Sequence, residues 1–227
     1  MLEIREFVID ENDLGAWGCG AISLVDDPAI QRNWIAFKLV EAGVIEDNRG
    51  LFTAATVDHH KRRVTGPAMI PDKLIYRVDA ETRLPYWCYF SKNTIEKMAH
   101  DFIGNGFQRD TNINHDSRLP GNSHVIESWI VDDPTNDKCN AFGFSDMKPG
   151  TWMITMQVTD ERIWDMITGG ELNGFSIEAY VTGRTIPVKY SDEVNVVDIN
   201  EVKIKNILYS DLSDGEKKKL IYSNLGG

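Results

Sequence analysis

Hydrophobic positions alternate with polar ones along most of the chain, and the helical period surfaces in only a few places. "EIREFVID" (3–10) alternates as a strand does. "GAISLVDDPAIQRNWIAFKLV" (20–40) holds a short apolar run, a turn at Asp27-Pro28, then a second strand-like run. Residues 41–56 are weakly patterned and read as a loop. "VTGPAMIPDKLIYR" (64–77) is broken into short apolar pieces by Gly66, Pro67 and Pro71. "PYWCYFS" (85–91) is a compact aromatic run and reads as a buried strand. After it, Ser91-Lys92-Asn93 marks a helix start, with Asn93 and Glu96 at capping-box spacing. Ile95, Met98, Ala99, Phe102 and Ile103 then recur at helical spacing, with Gly104 or Gly106 as the stop.

Three further strand-like runs follow, "TNINHD" (111–116), "HVIESWIV" (124–131) and "TWMITMQV" (151–158), separated by loops rich in Pro, Gly, Asp and Asn. In the last, Trp152, Ile154, Met156 and Val158 alternate. "DERIWDMIT" (160–168) is a short helix with Ile163, Trp164 and Ile167 inward and Gly169-Gly170 as its stop. "FSIEAYV" (175–181) and "EVKIKNILY" (201–209) read as strands, and Ser213 with Glu216 opens a C-terminal helix. Many short strands with two or three inserted helices predict an α+β fold dominated by an antiparallel sheet or partly closed barrel. The expected organisation is one domain over 1–227, with 210–227 as a peripheral helix or tail.

Composition narrows the function classes. A net charge of −11 disfavours nucleic acid and anionic membranes, both of which need a basic surface. No apolar run approaches the roughly 18 residues of a membrane span, and the N-terminus does not read as a secretory signal. The three cysteines, Cys19, Cys88 and Cys139, are widely spaced and never CxxC, as reduced thiols of a cytosolic protein would be. Cys88, between Trp87 and Tyr89, reads as a buried, inert thiol.

Candidate chemistry starts at "NGFSIEAYV" (173–181). Phe175, Ile177, Ala179 and Val181 share one strand face, and Ser176, Glu178 and Tyr180 share the other. The second face is either plain solvent surface or the seat of a nucleophile, which would need a base and a group to orient it. Five histidines are available. His59 and His60 lie in a charged stretch, His100 on the polar side of a helix, and His124 at a strand start. His115 shares a strand face with Thr111 and Ile113 and precedes a loop, where a side chain can project over a cleft, although a lone histidine at a strand end is more often structural. A metal site built on His115 and Asp116 lacks supporting ligand spacing, and no cofactor is expected.

"ISLVDDPAI" (22–30), "VTGPAMIPDKLIYR" (64–77), "YFSKNTIEKMAHDF" (89–102), "INHD" (113–116), "HVIESWIV" (124–131), "KPGTWMITMQV" (148–158) and "GELNGFSIEAY" (170–180) stand in one order. Together they resemble the XkdF-like group of phage prohead serine proteases over about residues 20–185. The resemblance implies a herpesvirus-assemblin-like fold, a mostly antiparallel β-barrel or sheet with surrounding helices. It implies a serine endopeptidase in the host cytoplasm, inside the assembling prohead, that cuts the scaffold protein, the major capsid protein and itself. It places the nucleophile on Ser176 and the base on His115. Assemblins take their third member from a histidine after the serine, but every histidine here precedes Ser176. A carboxylate must then serve. Glu127 is the first choice, on the strand next after His115 and flanked on its face by Val125 and Trp129. Glu178 is the second, and Asp116 follows. A homo-oligomer is a further expectation. The alternative from another class is a noncatalytic, scaffold-associated assembly protein that retains the fold.

Overall fold

A computed structural model describes residues 4–10, 12, 18–30, 32, 33, 35, 36, 61–79 and 81–186. The expected loop at 41–56, the strand at 201–209 and the C-terminal helix lie outside them. In chain order the elements are β1 (Ile4–Val8), β2 (Gly18–Val25), β3 (Ile35–Ala36), β4 (Arg63–Met69), β5 (Ile75–Val78) and β6 (Pro85–Phe90). Then come α1 (Lys92–Gly104), β7 (Thr111–Ile113), β8 (Asp116–Pro120), β9 (Ser123–Ile130), β10 (Trp152–Val158), α2 (Glu161–Thr168), β11 (Gly174–Tyr180) and β12 (Thr182–Ile186). The class is α+β, mostly sheet. The sheets are open and end in edge strands, so the expected barrel closure is not seen.

The chain divides into two compact units. Among the described residues the smaller takes in 4, 5, 76–79, 81–88, 185 and 186. Parts of four strands pair in it in the order β12-β1-β6-β5. Arg5 meets Asp79 at 3.1 Å and lies 4.1 Å above the Tyr86 ring.

The larger unit, made of the described residues within 6–75 and 89–184, holds two four-stranded sheets, β3-β4-β10-β9 and β11-β2-β7-β8. α1 packs on β2, β9 and β10. Ile95, Met98, Ala99 and Phe102 form its buried stripe, and Ile103, at the stripe's margin, is 38% exposed. Phe102 meets Trp152 edge-on at 5.5 Å. Burial of Ile95, Met98 and Phe102 stabilises the fold by about 1.5–3 kcal/mol each. The helix begins two residues earlier than capping-box spacing at Asn93 suggests. Its N-cap is Ser91, whose hydroxyl pairs with Thr94 Oγ1 at 3.1 Å and caps no backbone N–H. In α2 the cap is Asp160, which accepts from the N–H groups of Arg162 and Ile163.

Two sequence expectations need correction here. Gly66 and Pro67 do not break β4. Pro67 is paired with Met153 at a register shift in β10, and such an irregularity tolerates a residue that cannot donate to the ladder. β10 is buried on both faces and not on the alternating one alone. It lies between β4 and β9, and Met153 joins a cluster with Val131, Cys139, Phe144 and Met147.

Gly174 opens β11 where there is no room for a side chain. A Cβ there would fall 2.6 Å from Pro28 Cγ and 3.2 Å from the Arg32 carbonyl oxygen. The "DDPAI" turn and the "NGFS" strand start are thus packed directly together. Gly174→Ala is expected to destabilise the protein by about 1–3 kcal/mol through overpacking. Gly104→Ala, where nothing lies within 4 Å, is expected to be neutral or stabilising by up to about 1 kcal/mol. Denaturant melts of the two variants beside the parent measure both.

Candidate active site

β2 is the centre of the site. β11 pairs with it antiparallel and β7 pairs with it parallel. The registers set Ser23 opposite Ser176 on one side and Asn112 on the other. Residues paired across neighbouring strands point to the same face, so Ser176, Ser23 and Asn112 form a row across the sheet. Glu178 lies on that face too, paired with Ala21. The opposite face carries Ile22, Leu24 and Phe175 into the core. The alternation of "ISL" therefore sends two apolar side chains inward and one hydroxyl to the other side.

His115 reaches this row by a different route from the one its sequence suggests. β7 and β8 form a hairpin, and the two residues between them are Asn114 and His115. Both have positive φ, 50° and 60°, as a tight two-residue hairpin turn requires. His115 thus does not share a strand face with Thr111 and Ile113, because the chain has already turned. The Asn114 N–H donates to the Leu24 carbonyl at 3.0 Å, and Asn114 Oδ1 accepts from the Asp26 N–H at 3.2 Å. These bonds tie the hairpin tip to the end of β2.

The result is a compact polar cluster. Ser23 Oγ lies 3.0 Å from His115 Nδ1. The same hydroxyl donates to Glu178 Oε1 at 3.4 Å, and Asn112 Nδ2 donates to that oxygen as well. His115 Nδ1 stands 3.8 Å from Glu178 Oε1, beyond hydrogen-bond length. Ser23 is fully buried, whereas the His115 side chain is 45% exposed and that of Glu178 29%. Asn112 Oδ1 is buried and has no hydrogen-bond partner among the described residues. Ser176 is 8% exposed, so its face is not simple solvent surface. Its hydroxyl makes no hydrogen bond among the described residues.

Of the residues singled out from sequence, the structure brings together His115 and Glu178, with Ser176 one strand away from Ser23. It does not bring Glu127 to them. Glu127 sits on β9, in the other sheet, where its carboxylate accepts from Thr155 Oγ1 at 2.8 Å and pairs with Lys138 at 3.3 Å. The Thr155 hydrogen bond, aided by Lys138, holds its carboxyl below the usual range. Asp116 is taken up by Arg118, at 2.7 Å and 2.9 Å. His59 and His60 lie outside the described residues. Among the described residues no group of three or more His, Cys, Asp or Glu is gathered as metal ligands would be. No described helix is long and apolar enough to cross a membrane.

A family model described as "Putative phage serine protease XkdF" matches residues 52–184. The chain belongs to this family. The match spans the "NHD" and "GFSIE" segments and therefore His115, Ser176 and Glu178, but it leaves Ser23 outside. No curated protein and no solved structure matches the chain.

Sequence reasoning did not single out Ser23 or Asn112. The one available signal for Ser23 was a hydroxyl interrupting the apolar run "AISLV". Asn112 had none, since its importance comes from a parallel pairing between segments nearly ninety positions apart.

All three cysteines of this XkdF-family chain are free and buried. Burial pushes the Cys19 thiol up to about 12 and the Cys88 thiol up to about 11. A thiol reagent at neutral pH is expected to leave the folded protein unmodified and to modify all three cysteines after unfolding, as read by intact mass.

Proposed function

We propose that this chain is a serine endopeptidase of phage capsid maturation, with Ser176 as nucleophile, His115 as base and Glu178 as the carboxylate behind the base. The observation that carries the reading is the meeting of two distant family segments: His115, from "NHD", lies 3.8 Å from Glu178, from "GFSIE". Ser176 belongs to the same strand and face as Glu178. In antiparallel strands, paired Cα atoms lie about 4.5–5.5 Å apart. Ser176 is therefore one strand spacing from the hydroxyl that His115 already contacts. Hydrogen bonds between nucleophile and base are often long or absent before substrate binds.

In this mechanism the Ser176 hydroxyl proton passes to His115 Nε2 as Oγ bonds to the scissile carbonyl carbon. The carbonyl electron pair moves onto oxygen. Collapse of that intermediate breaks the C–N bond, and the leaving amine takes the proton from Nε2. Water then attacks the acyl ester and gives a proton to Nε2; the C–Oγ bond breaks, Oγ takes that proton back from Nε2, and the carboxylate product leaves. Backbone N–H donors to the oxyanion contribute roughly 10²–10³ in rate each. The scaffold and capsid substrates, self-cleavage, the prohead location and the assemblin-like ancestry of the fold come from the family resemblance and are part of the proposal.

One observation favours a second reading. The hydroxyl in contact with His115 is that of Ser23 and not of Ser176. In that reading the chain is a noncatalytic assembly protein, and the cluster merely holds the β7–β8 hairpin in place.

Co-expression with the scaffold and major capsid proteins encoded beside it, followed by intact mass, separates the two. The peptidase reading expects fragments that vanish in Ser176→Ala and His115→Ala. It expects Glu178→Gln to slow their appearance by roughly 10²-fold or more, and Glu127→Gln to change it less than about twofold. Uncut partners with the parent chain would favour the noncatalytic protein.

A further inference from the structure

The Glu178 carboxylate does not hydrogen-bond the imidazole. Its Oε1 is 3.8 Å from Nδ1, and the Ser23 hydroxyl touches both groups, at 3.4 Å and 3.0 Å. An ionised carboxylate only accepts hydrogen bonds. It already takes one from Asn112 Nδ2, on the other side of β2 from Ser176. The Ser23 proton therefore points at Glu178 Oε1. A hydroxyl whose proton is committed in this way offers its lone pairs to Nδ1. That arrangement selects the tautomer with the proton on Nδ1 and leaves the basic lone pair on Nε2.

Resting on the peptidase reading, we propose that Ser23 is a positioning residue that links Glu178 to His115 and fixes the imidazole as the Nδ1–H tautomer. The chain Asn112 to Glu178 to Ser23 to His115 then does what a carboxylate in direct contact does in other serine peptidases. Ser23 is not itself the nucleophile in this account. It is fully buried, in an inner strand of its sheet, and a peptide carbonyl has no approach to it. The inward-facing Ile22 and Leu24 hold its backbone in register, and its Cα partners on both sides carry the other members of the row. When Nε2 takes up a proton, the imidazolium donates through Nδ1 to Ser23 Oγ. The negative charge of Glu178, one hydroxyl away, stabilises it.

The test reads the tautomer directly and the chemistry separately. Side-chain ¹⁵N spectra of His115 in the full chain are recorded at about pH 8, above the usual imidazole titration range. They are compared among the parent, Ser23→Ala and Ser23→Thr. In parallel, a fluorophosphonate probe is used, in which an Oγ–P bond forms, fluoride leaves and the hydroxyl proton passes to the base. The labelled residue is located by peptide mass. The expected result is an Nδ1–H tautomer in the parent, lost in Ser23→Ala and retained in Ser23→Thr, which keeps the hydroxyl. Labelling falls on Ser176. It slows roughly tenfold or more in Ser23→Ala, a part of the roughly 10²–10⁴ that a positioned base contributes, and recovers in Ser23→Thr.

An Nε2–H tautomer in the parent, or one unchanged by Ser23→Ala, overturns the proposal without recourse to activity. Label found on Ser23 overturns it too, since that residue would then be the nucleophile. If the tautomer responds to Ser23 as expected while no chain takes the label, the positioning role stands and the peptidase reading is the one that fails.

Discussion

The register of β2 against its two neighbours is the constraint on which the site depends. Side chains in a sheet alternate faces with a period of two, so a slip of one residue sends every side chain to the other side. With the observed pairing, Ser23, Ser176 and Asn112 stand in one row and Ile22, Leu24 and Phe175 enter the core. The core fixes the site in this way. Burial of the apolar set under α1 makes any other register costly, and the polar row follows on the opposite face. Gly174, pressed against Pro28, pins the start of β11 in the same register.

Electrostatics on that row are organised around one carboxylate oxygen. Glu178 Oε1 receives Ser23 and Asn112 and stands near the imidazole. A half-buried carboxylate is tolerated when hydrogen-bond donors replace the water it loses. The donors come from β2, the strand Glu178 pairs with, and from β7 beyond it, so the charge binds the sheet laterally while it faces His115. The hairpin turn supplies the remaining part. Two consecutive residues at positive φ let β7 reverse tightly, and the bonds from Asn114 and to Asn114 hold the reversed tip against β2. A histidine in such a turn is placed by backbone geometry and not by strand periodicity.

Local pattern was enough for part of the architecture. The helical stripe from Ile95 to Phe102, the short α2 with its glycine stop, and strands at β1, β6, β9, β10 and β11 were all legible, because each expresses its own period over a sufficient length. β8 was not legible. "DSRLP" is polar and pairs at a sheet edge, where no buried face imposes an alternation. The continuity of β4 through Gly66 and Pro67 was hidden for the converse reason: a partner strand absorbs the irregularity, and the partner is far away in sequence.

The site shows the same division. Ser176 and Glu178 share a face by parity alone, and His115 stands out through the resemblance of "NHD". The sequence by itself therefore determined the α+β class, the phage serine protease family and two segments from which a site could be built. Tertiary structure decided which carboxylate meets the histidine. Glu127 follows His115 closely along the chain, yet β9 pairs with β10 in the other sheet and gives Glu127 to Thr155 and Lys138. Glu178, more than sixty positions away, arrives because β11 pairs with β2 and β2 with β7. Ser23 enters the same way. Strand pairing is a non-local hydrogen-bonding choice settled by burial of the whole core, and no short stretch of sequence contains it.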